Sequence, residues 1–274
     1  MLYEQILYAV DGPVATITLN RPDKLNAWTL RMGFEVRHAM WRAENDPNVR
    51  VIVVTGAGRG YCAGADMDFL REVQGGTVSP QTPPAELAVE FDPNLPPLFR
   101  GEYTYPLGLT KPVIGAINGV AAGLGATYPL FYDLRVASSQ ARFSFLFARR
   151  GLIAEHGSAW LLPRIVGHAR AVDLLFTGRF IDADDALSVG LVSRVFPHEL
   201  FSAQVFALAQ ELAVQCSPRS LRIMKQQLWR DQFGDLATAV ANADREMVAC
   251  FTTEDFREGV ASFLERRSPR FTGV

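Results

Sequence analysis

Residues 14–19 alternate, with Ala15, Ile17 and Leu19 on one face and Thr16 and Thr18 on the other, and they follow residues 6–10 across Asp11-Gly12-Pro13. Two such runs around a short glycine-containing turn predict a β-hairpin. The period then changes: Val36, Ala39, Met40 and Ala43 recur at i, i+3, i+4 and i+7, which predicts a helix with one buried stripe. Residues 51–55 are apolar up to Thr55, the pattern of a strand covered on both faces. Strand, helix and buried strand together predict a right-handed crossover.

Beyond a glycine-rich run at 56–60, residues 71–110 show no sustained period and carry Gly75, Gly76 and prolines at 80, 83, 84, 93, 96, 97 and 106. So long an irregular segment inside a compact domain is usually a functional lid or a mobile loop, and it is the candidate pocket wall. Residues 112–117 read as the next buried strand. Residues 118–125 read as a turn of small residues before a helix running toward Tyr132, and residues 133–137 as a further strand. Asp182 can cap a helix ending at Gly190, with a strand over 191–196 before Pro197. From residue 198 onward the pattern is helical: Ser217-Pro218 forms an N-cap and N1 pair, and Thr252 or Thr253 starts a last helix through Phe263. The expected organisation is an α/β body over residues 1–197 and a helical region over 198–274.

Composition narrows the function classes. The chain of 274 residues carries 27 Lys and Arg against 29 Asp and Glu, a net charge of -2, and no block of five like charges. No basic field for nucleic acid is present, so a partner must be recognised locally. Cys62, Cys216 and Cys250 are too few and too scattered for a disulfide framework or a zinc site, and a reducing compartment is expected. The first residues contain an acid and no basic n-region, and no apolar stretch reaches the roughly 18 residues of a membrane span. A cytoplasmic protein without membrane partners is the expectation.

Four segments carry a resemblance: residues 20–27 (NRPDKLNA), 56–67 (GAGRGYCAGADM), 111–123 (KPVIGAINGVAAG) and 258–271 (EGVASFLERRSPRF). In order, spacing and total length the chain resembles the crotonase (enoyl-CoA hydratase/isomerase) superfamily. The resemblance implies a crotonase-like spiral of β-β-α turns in two sheets and a C-terminal helical region that builds a homotrimer or a dimer of trimers. It implies an acyl-CoA thioester substrate, with coenzyme A part of the substrate and no further cofactor or metal. It places two oxyanion-binding backbone N–H groups at Ala65 and Leu124. For the coenzyme it points to Leu25, Ala27 and Ala63, with Lys24, Asp66 and Met67 alongside, and to Phe263 and Arg266 for a neighbouring subunit's site. Asp66 also reads as a cap or brace of the oxyanion loop.

Small residues around Ala65 and Leu124 let a substrate approach the main chain, and the start of a helix favours a developing oxyanion. The run at 56–60 also invites a nucleotide loop, but the third glycine of GxGxxG is absent and no GKS or GKT follows. Retained NAD would revive that class.

The acid/base positions depart from the hydratase pattern. The two glutamates that hold water in hydratases resembling this chain fall at Thr127 and Phe147, and neither side chain is a carboxylate base. A different acid stands at Glu155, within residues 151–163 (GLIAEHGSAWLLP), where isomerase-type relatives carry a working carboxylate. On local sequence alone Glu155 reads as a helix-start acid satisfied by nearby N–H groups. One carboxylate suffices for isomerisation, since it can remove a proton from C2 and return it at C4. Tyr128, Thr127, Phe147 and His156 are the candidate acyl-pocket residues; His156 reads as structural or orienting, because neighbours in a turn usually point apart. The favoured function is double-bond or ring isomerisation through a thioester enolate. Hydration by an atypical site, thioester hydrolysis, and acyl-CoA binding without catalysis are the alternatives.

Overall fold

The computed structural model describes residues 3–76 and 82–274. Residues 1 and 2 of the N-terminal run and Pro80 of the proline series lie outside them. The described strands are β1 (Ile6–Asp11), β2 (Val14–Leu19), β3 (Val51–Gly56), β4 (Gly60–Cys62), β5 (Val113–Ile117), β6 (Val120–Ala122), β7 (Leu134–Ser138), β8 (Arg142–Ser144), β9 (Ile181–Asp182) and β10 (Arg194–Phe196). The helices are α1 (Leu30–Asn45), α2 (Met67–Gln74), α3 (Leu124–Thr127), α4 (Ser158–Val166), α5 (His168–Thr177), α6 (Ala183–Ser188), α7 (Phe201–Gln215), α8 (Pro218–Asp231), α9 (Leu236–Cys250) and α10 (Glu254–Glu265).

One sheet runs β1-β2-β3-β5-β7-β10 and the other β4-β6-β8-β9. From β3 to β8 successive strands fall alternately in the two sheets, so the chain winds as a spiral. The hairpin is antiparallel, with Ile6 opposite Leu19, and β2 and β3 are parallel across α1, as the crossover requires. The stripe Val36, Ala39, Met40 and Ala43 is fully buried, and Thr29 caps α1 by accepting from the Met32 N–H. A core of Ile17, Leu19, Ile52, Val54 and Ile117 packs with α1 on one face of the large sheet. On the other, Val14, Val51, Val53 and Ile114 meet Phe201, Val205 and Leu208 of α7. The first helix after residue 197 is therefore a layer of the body.

Several expectations change. Residues 120–122, read as part of a turn, form β6, because pairing with β4 and β8 makes a strand of small residues that show no alternation. The helix toward Tyr132 is a single α turn, α3, that tightens into a 3-10 helix over Tyr128–Phe131, with Pro129 inside it. The last strand begins at Arg194 rather than 191; Leu191 and Val192 instead close α6, their N–H groups donating to Ala186 O. Within 71–110, α2 continues to Gln74, and Leu87, Phe99, Tyr105, Leu107 and Leu109 are buried. Tertiary burial, not periodicity, orders the described residues 85–109, which dock through these side chains. Asp182 and Thr253 cap α6 and α10. Among the described residues no helix is long and apolar enough to cross a membrane, and no group of three or more His, Cys, Asp or Glu is placed to hold a metal ion.

Candidate active site

Two buried asparagines set the glycine-rich turn. Asn26 donates through Nδ2 to Ala57 O (2.9 Å) and Gly60 O (2.8 Å), and Asn118 donates to Gly58 O (2.9 Å) while accepting from Gly56 N–H (3.1 Å). The run at 56–60 is thus tied internally, which gives it a structural task in place of a phosphate cradle.

The chain then passes through β4 to Gly64 and Ala65. Trp28 N–H donates to Gly64 O (2.7 Å), and Asp66 N–H donates to Trp28 O (2.8 Å). A strand-like bridge of this kind turns the N–H of the intervening residue, Ala65, away from Trp28. Leu124 opens α3, so its N–H has no intrahelical acceptor. Neither N–H has an acceptor among the described residues. The two segments lie side by side: a Cβ on Gly64, at φ +101°, would sit 2.9 Å from Ala122 O and 3.8 Å from Gly123 Cα. Because α3 is a single turn, its dipole is short, and an unpaired donor in a position only 6% exposed is what it can offer an acceptor.

The expected coenzyme residues are partly assembled. Leu25 (φ 49°) and Asn26 (φ 56°) take successive left-handed conformations, and Leu25 O accepts from Ala63 N–H (3.0 Å), which brings Leu25, Ala27 and Ala63 together. Lys24 and Met67 are exposed beside them. Asp66 is committed internally: it accepts from Arg21 Nη1 (2.8 Å) and from Asp68 N–H (2.9 Å), capping α2. Burial pushes its carboxyl up, but the Arg21 guanidinium and the Asp68 N–H outweigh that and hold it below its usual value. Arg21 Nη1 also donates to Ala27 O (2.6 Å), so one side chain ties the loop at residues 25–27 to the loop at residues 63–66. Arg21→Ala strands a buried carboxylate; we expect a stability loss of about 3 kcal/mol in urea unfolding, with weaker acyl-CoA binding. Phe263, 83% exposed, and Arg266 lie at the end of α10, with no hydrogen bond or ion pair to these loops among the described residues.

Glu155 lies in a turn whose next residues, His156 (φ 48°) and Gly157 (φ 80°), are both left-handed. A helix-start acid would accept from the N–H groups of α4, but only the Glu155 main-chain oxygen does so, from Ser158 N–H (2.8 Å). Its Oε1 is buried without a partner. Burial raises the carboxyl from 4.5 to about 7. Its charge raises the Cys62 thiol and the Tyr103 phenol, so it lies within electrostatic range of both. Burial pushes the Cys62 thiol up to about 12, so it stays a packing residue.

Thr127 is fully buried with Oγ1 unpartnered, and the Phe147 ring would lie 3.9 Å from a Cβ on Gly123. Tyr128 is bonded to the Tyr105 hydroxyl and meets Trp28 edge-on at 5.0 Å between centroids. His156 does not point away from its neighbour: its Nε2 comes within 3.9 Å of Glu155 Oε2, because the left-handed backbone swings the two side chains to one side. The ring stacks on Tyr103 at 3.9 Å. Trp28, Glu102, Tyr103 and Tyr105 escape the sequence reading. The one signal is the tyrosine pair of residues 102–105 (EYTY) amid prolines, in the segment read as pocket wall.

The sequence profile described as Enoyl-CoA hydratase/isomerase matches residues 10–274. The chain is 37% identical to 1,2-epoxyphenylacetyl-CoA isomerase of Escherichia coli over 273 residues, covering 99% of this chain and all of the other. The crystal structure of enoyl-CoA hydratase from Bacillus anthracis superposes with a TM-score of 0.85 at 28% identity, over 99% of this chain and all of the other.

Proposed function

We propose, since the chain belongs to the enoyl-CoA hydratase/isomerase family of the crotonase superfamily, that it isomerises an acyl-CoA thioester with Glu155 as the proton-transfer group. The observation that carries this reading is a half-buried carboxylate whose Oε1 is buried without a partner and which burial holds at about 7, in a chain that also presents two backbone N–H groups without acceptors. The thioester oxygen accepts from Ala65 N–H and Leu124 N–H. Ionised Glu155 takes the C2 proton, the C–H electron pair moves into the thioester as a dienolate, and the same proton returns at C4. No water enters and none leaves. Thr127 and Phe147 in place of the hydratase glutamates support the same reading, since neither activates a water. The name of the Escherichia coli relative adds ring isomerisation to the chemistry that this apparatus can serve.

Incubation with a 3-enoyl-CoA in deuterated buffer tests the proposal, followed by mass spectrometry and chromatography. The expected product is the 2-enoyl-CoA without added water. A 3-hydroxyacyl-CoA would instead establish hydration, and release of free coenzyme A would establish hydrolysis. A homotrimer, or a dimer of trimers, belongs to the same reading: Leu236, Val248, Phe263 and Leu264 on α9 and α10 are exposed apolar residues that such an assembly would cover.

A further inference from the structure

We propose that Tyr103 is a positioning residue for Glu155: its ring, stacked on His156, holds the left-handed turn that carries the carboxyl and keeps water from the buried Glu155 Oε1. This rests on Glu155 being the proton-transfer group.

The geometry begins with the backbone. His156 sits at φ 48°, a conformation that a residue with a Cβ adopts at a cost and keeps only where its surroundings impose it. What imposes it is the Tyr103 ring, 3.9 Å from the imidazole between centroids and 30° from coplanar. Tyr103 in turn is fixed by Tyr128, edge-on at 6.2 Å and 87°. Tyr128 is bonded to Tyr105 and packs on Trp28, whose main chain is bridged to Ala65. A continuous run of rings therefore connects the turn bearing the base to the loop bearing an oxyanion donor. Rings have few rotamers and pack without voids, so the carboxyl and the donor are held as one unit.

The groups facing Glu155 leave water exclusion as the dominant influence on its charge. From its own turn comes His156, whose pKa is lowered by burial despite the opposing pull of Glu102. Its imidazole is therefore neutral at neutral pH. From the 102–105 segment come Glu102 and the Tyr103 phenol, itself raised first by burial and then by Glu102. From β4 comes the protonated Cys62 thiol. Among the described residues no lysine or arginine is paired with Glu155.

The test uses the full-length protein and two readouts. The first is the pH profile of kcat/KM on a 3-enoyl-CoA. The second is infrared titration of the Glu155 carboxyl, isolated by difference against Glu155→Gln. Tyr103→Ala is expected to admit water, move the acid limb and the carboxyl titration down by about one unit or more, and lower kcat about tenfold. Tyr103→Phe keeps the stack and is expected to keep both titrations near 7. If Tyr103→Ala does not fold, Tyr103→Leu fills much of the volume without a flat ring and takes its place in both measurements. An acid limb and carboxyl titration unmoved in the truncated variant, even with a lower kcat, overturn the proposal and leave Tyr103 as packing. Undiminished turnover by Glu155→Gln overturns the functional reading instead, while the infrared titration still decides whether Tyr103 governs the carboxyl.

Discussion

Glu155→Gln is expected to fold, bind an acyl-CoA thioester and lose about 10²- to 10⁴-fold in turnover, while becoming more stable than the parent protein above neutral pH. The activity loss follows from chemistry: an amide of nearly the same shape cannot take up and return a proton. The stability gain follows from burial. Glu155 titrates at about 7 in the folded chain against 4.5 ordinarily, so between these values the native state holds a proton that the unfolded chain has released. Stability from that proton is fully present below about pH 4 and is lost as pH rises through 7. At pH 8 the parent therefore carries an ionised, poorly solvated group that glutamine replaces with a neutral one. With the side chain 28% exposed, the difference is about 1 to 3 kcal/mol after allowance for solvent screening. Denaturant unfolding near pH 4 and near pH 8 checks this. A variant no more stable than the parent at the higher pH would show that burial does not govern this carboxyl. The combination of lost activity and gained stability is what a functional group kept against the demands of folding produces.

How much of this was readable from the residues follows from how local each cause is. The hairpin, the α1 stripe and the caps at Ser217, Asp182 and Thr253 are set by neighbours within a turn or two, and period and cap chemistry report them directly. β6 escapes because Val120-Ala121-Ala122 shows no alternation; only its partners in β4 and β8 make it a strand. Glu35 is missed for the same reason. It lies on the buried side of α1, where its carboxyl accepts from the Glu4 and Gln5 N–H groups and the Arg31 guanidinium. Around the site, the small residues at 63–65 and the glycines at 123 and 125 advertise close backbone approach within single segments. Tyr103 does not announce itself, since its meaning is its contact with His156, brought from a distant segment by packing alone. The inference that neighbours in a turn diverge fails at Glu155 and His156 because it assumes ordinary backbone angles, and φ 48° at His156 is not one.

Gly64→Ala is expected to lower turnover about 10²- to 10³-fold, in whatever reaction the protein performs on an acyl-CoA. At φ +101° a Cβ is strained for an L-residue, and its nearest neighbour would be the Ala122 carbonyl oxygen at 2.9 Å. Neither backbone can yield cheaply. The Gly64 side is tied to Trp28 by two hydrogen bonds, and the Gly123 side is tied to Ser144 O by its N–H (2.9 Å). Relief comes from pushing the two segments apart, which moves Ala65 N–H and Leu124 N–H out of a common geometry. Losing one such donor costs about 2.7 to 4 kcal/mol in the transition state. The backbone strain adds about 1 to 3 kcal/mol against folding, so this variant becomes both less active and less stable. That sign is opposite to Glu155→Gln. The two substitutions also divide the chemistry: Gly64→Ala removes stabilisation of the thioester oxyanion, whereas Glu155→Gln removes the group that carries the proton from C2 to C4. Deuterium exchange at C2 of a saturated acyl-CoA, measured by mass spectrometry with Glu155 intact, reads enolate formation without the transfer to C4. Exchange that survives Gly64→Ala undiminished would show that Ala65 and Leu124 do not hold the thioester oxygen.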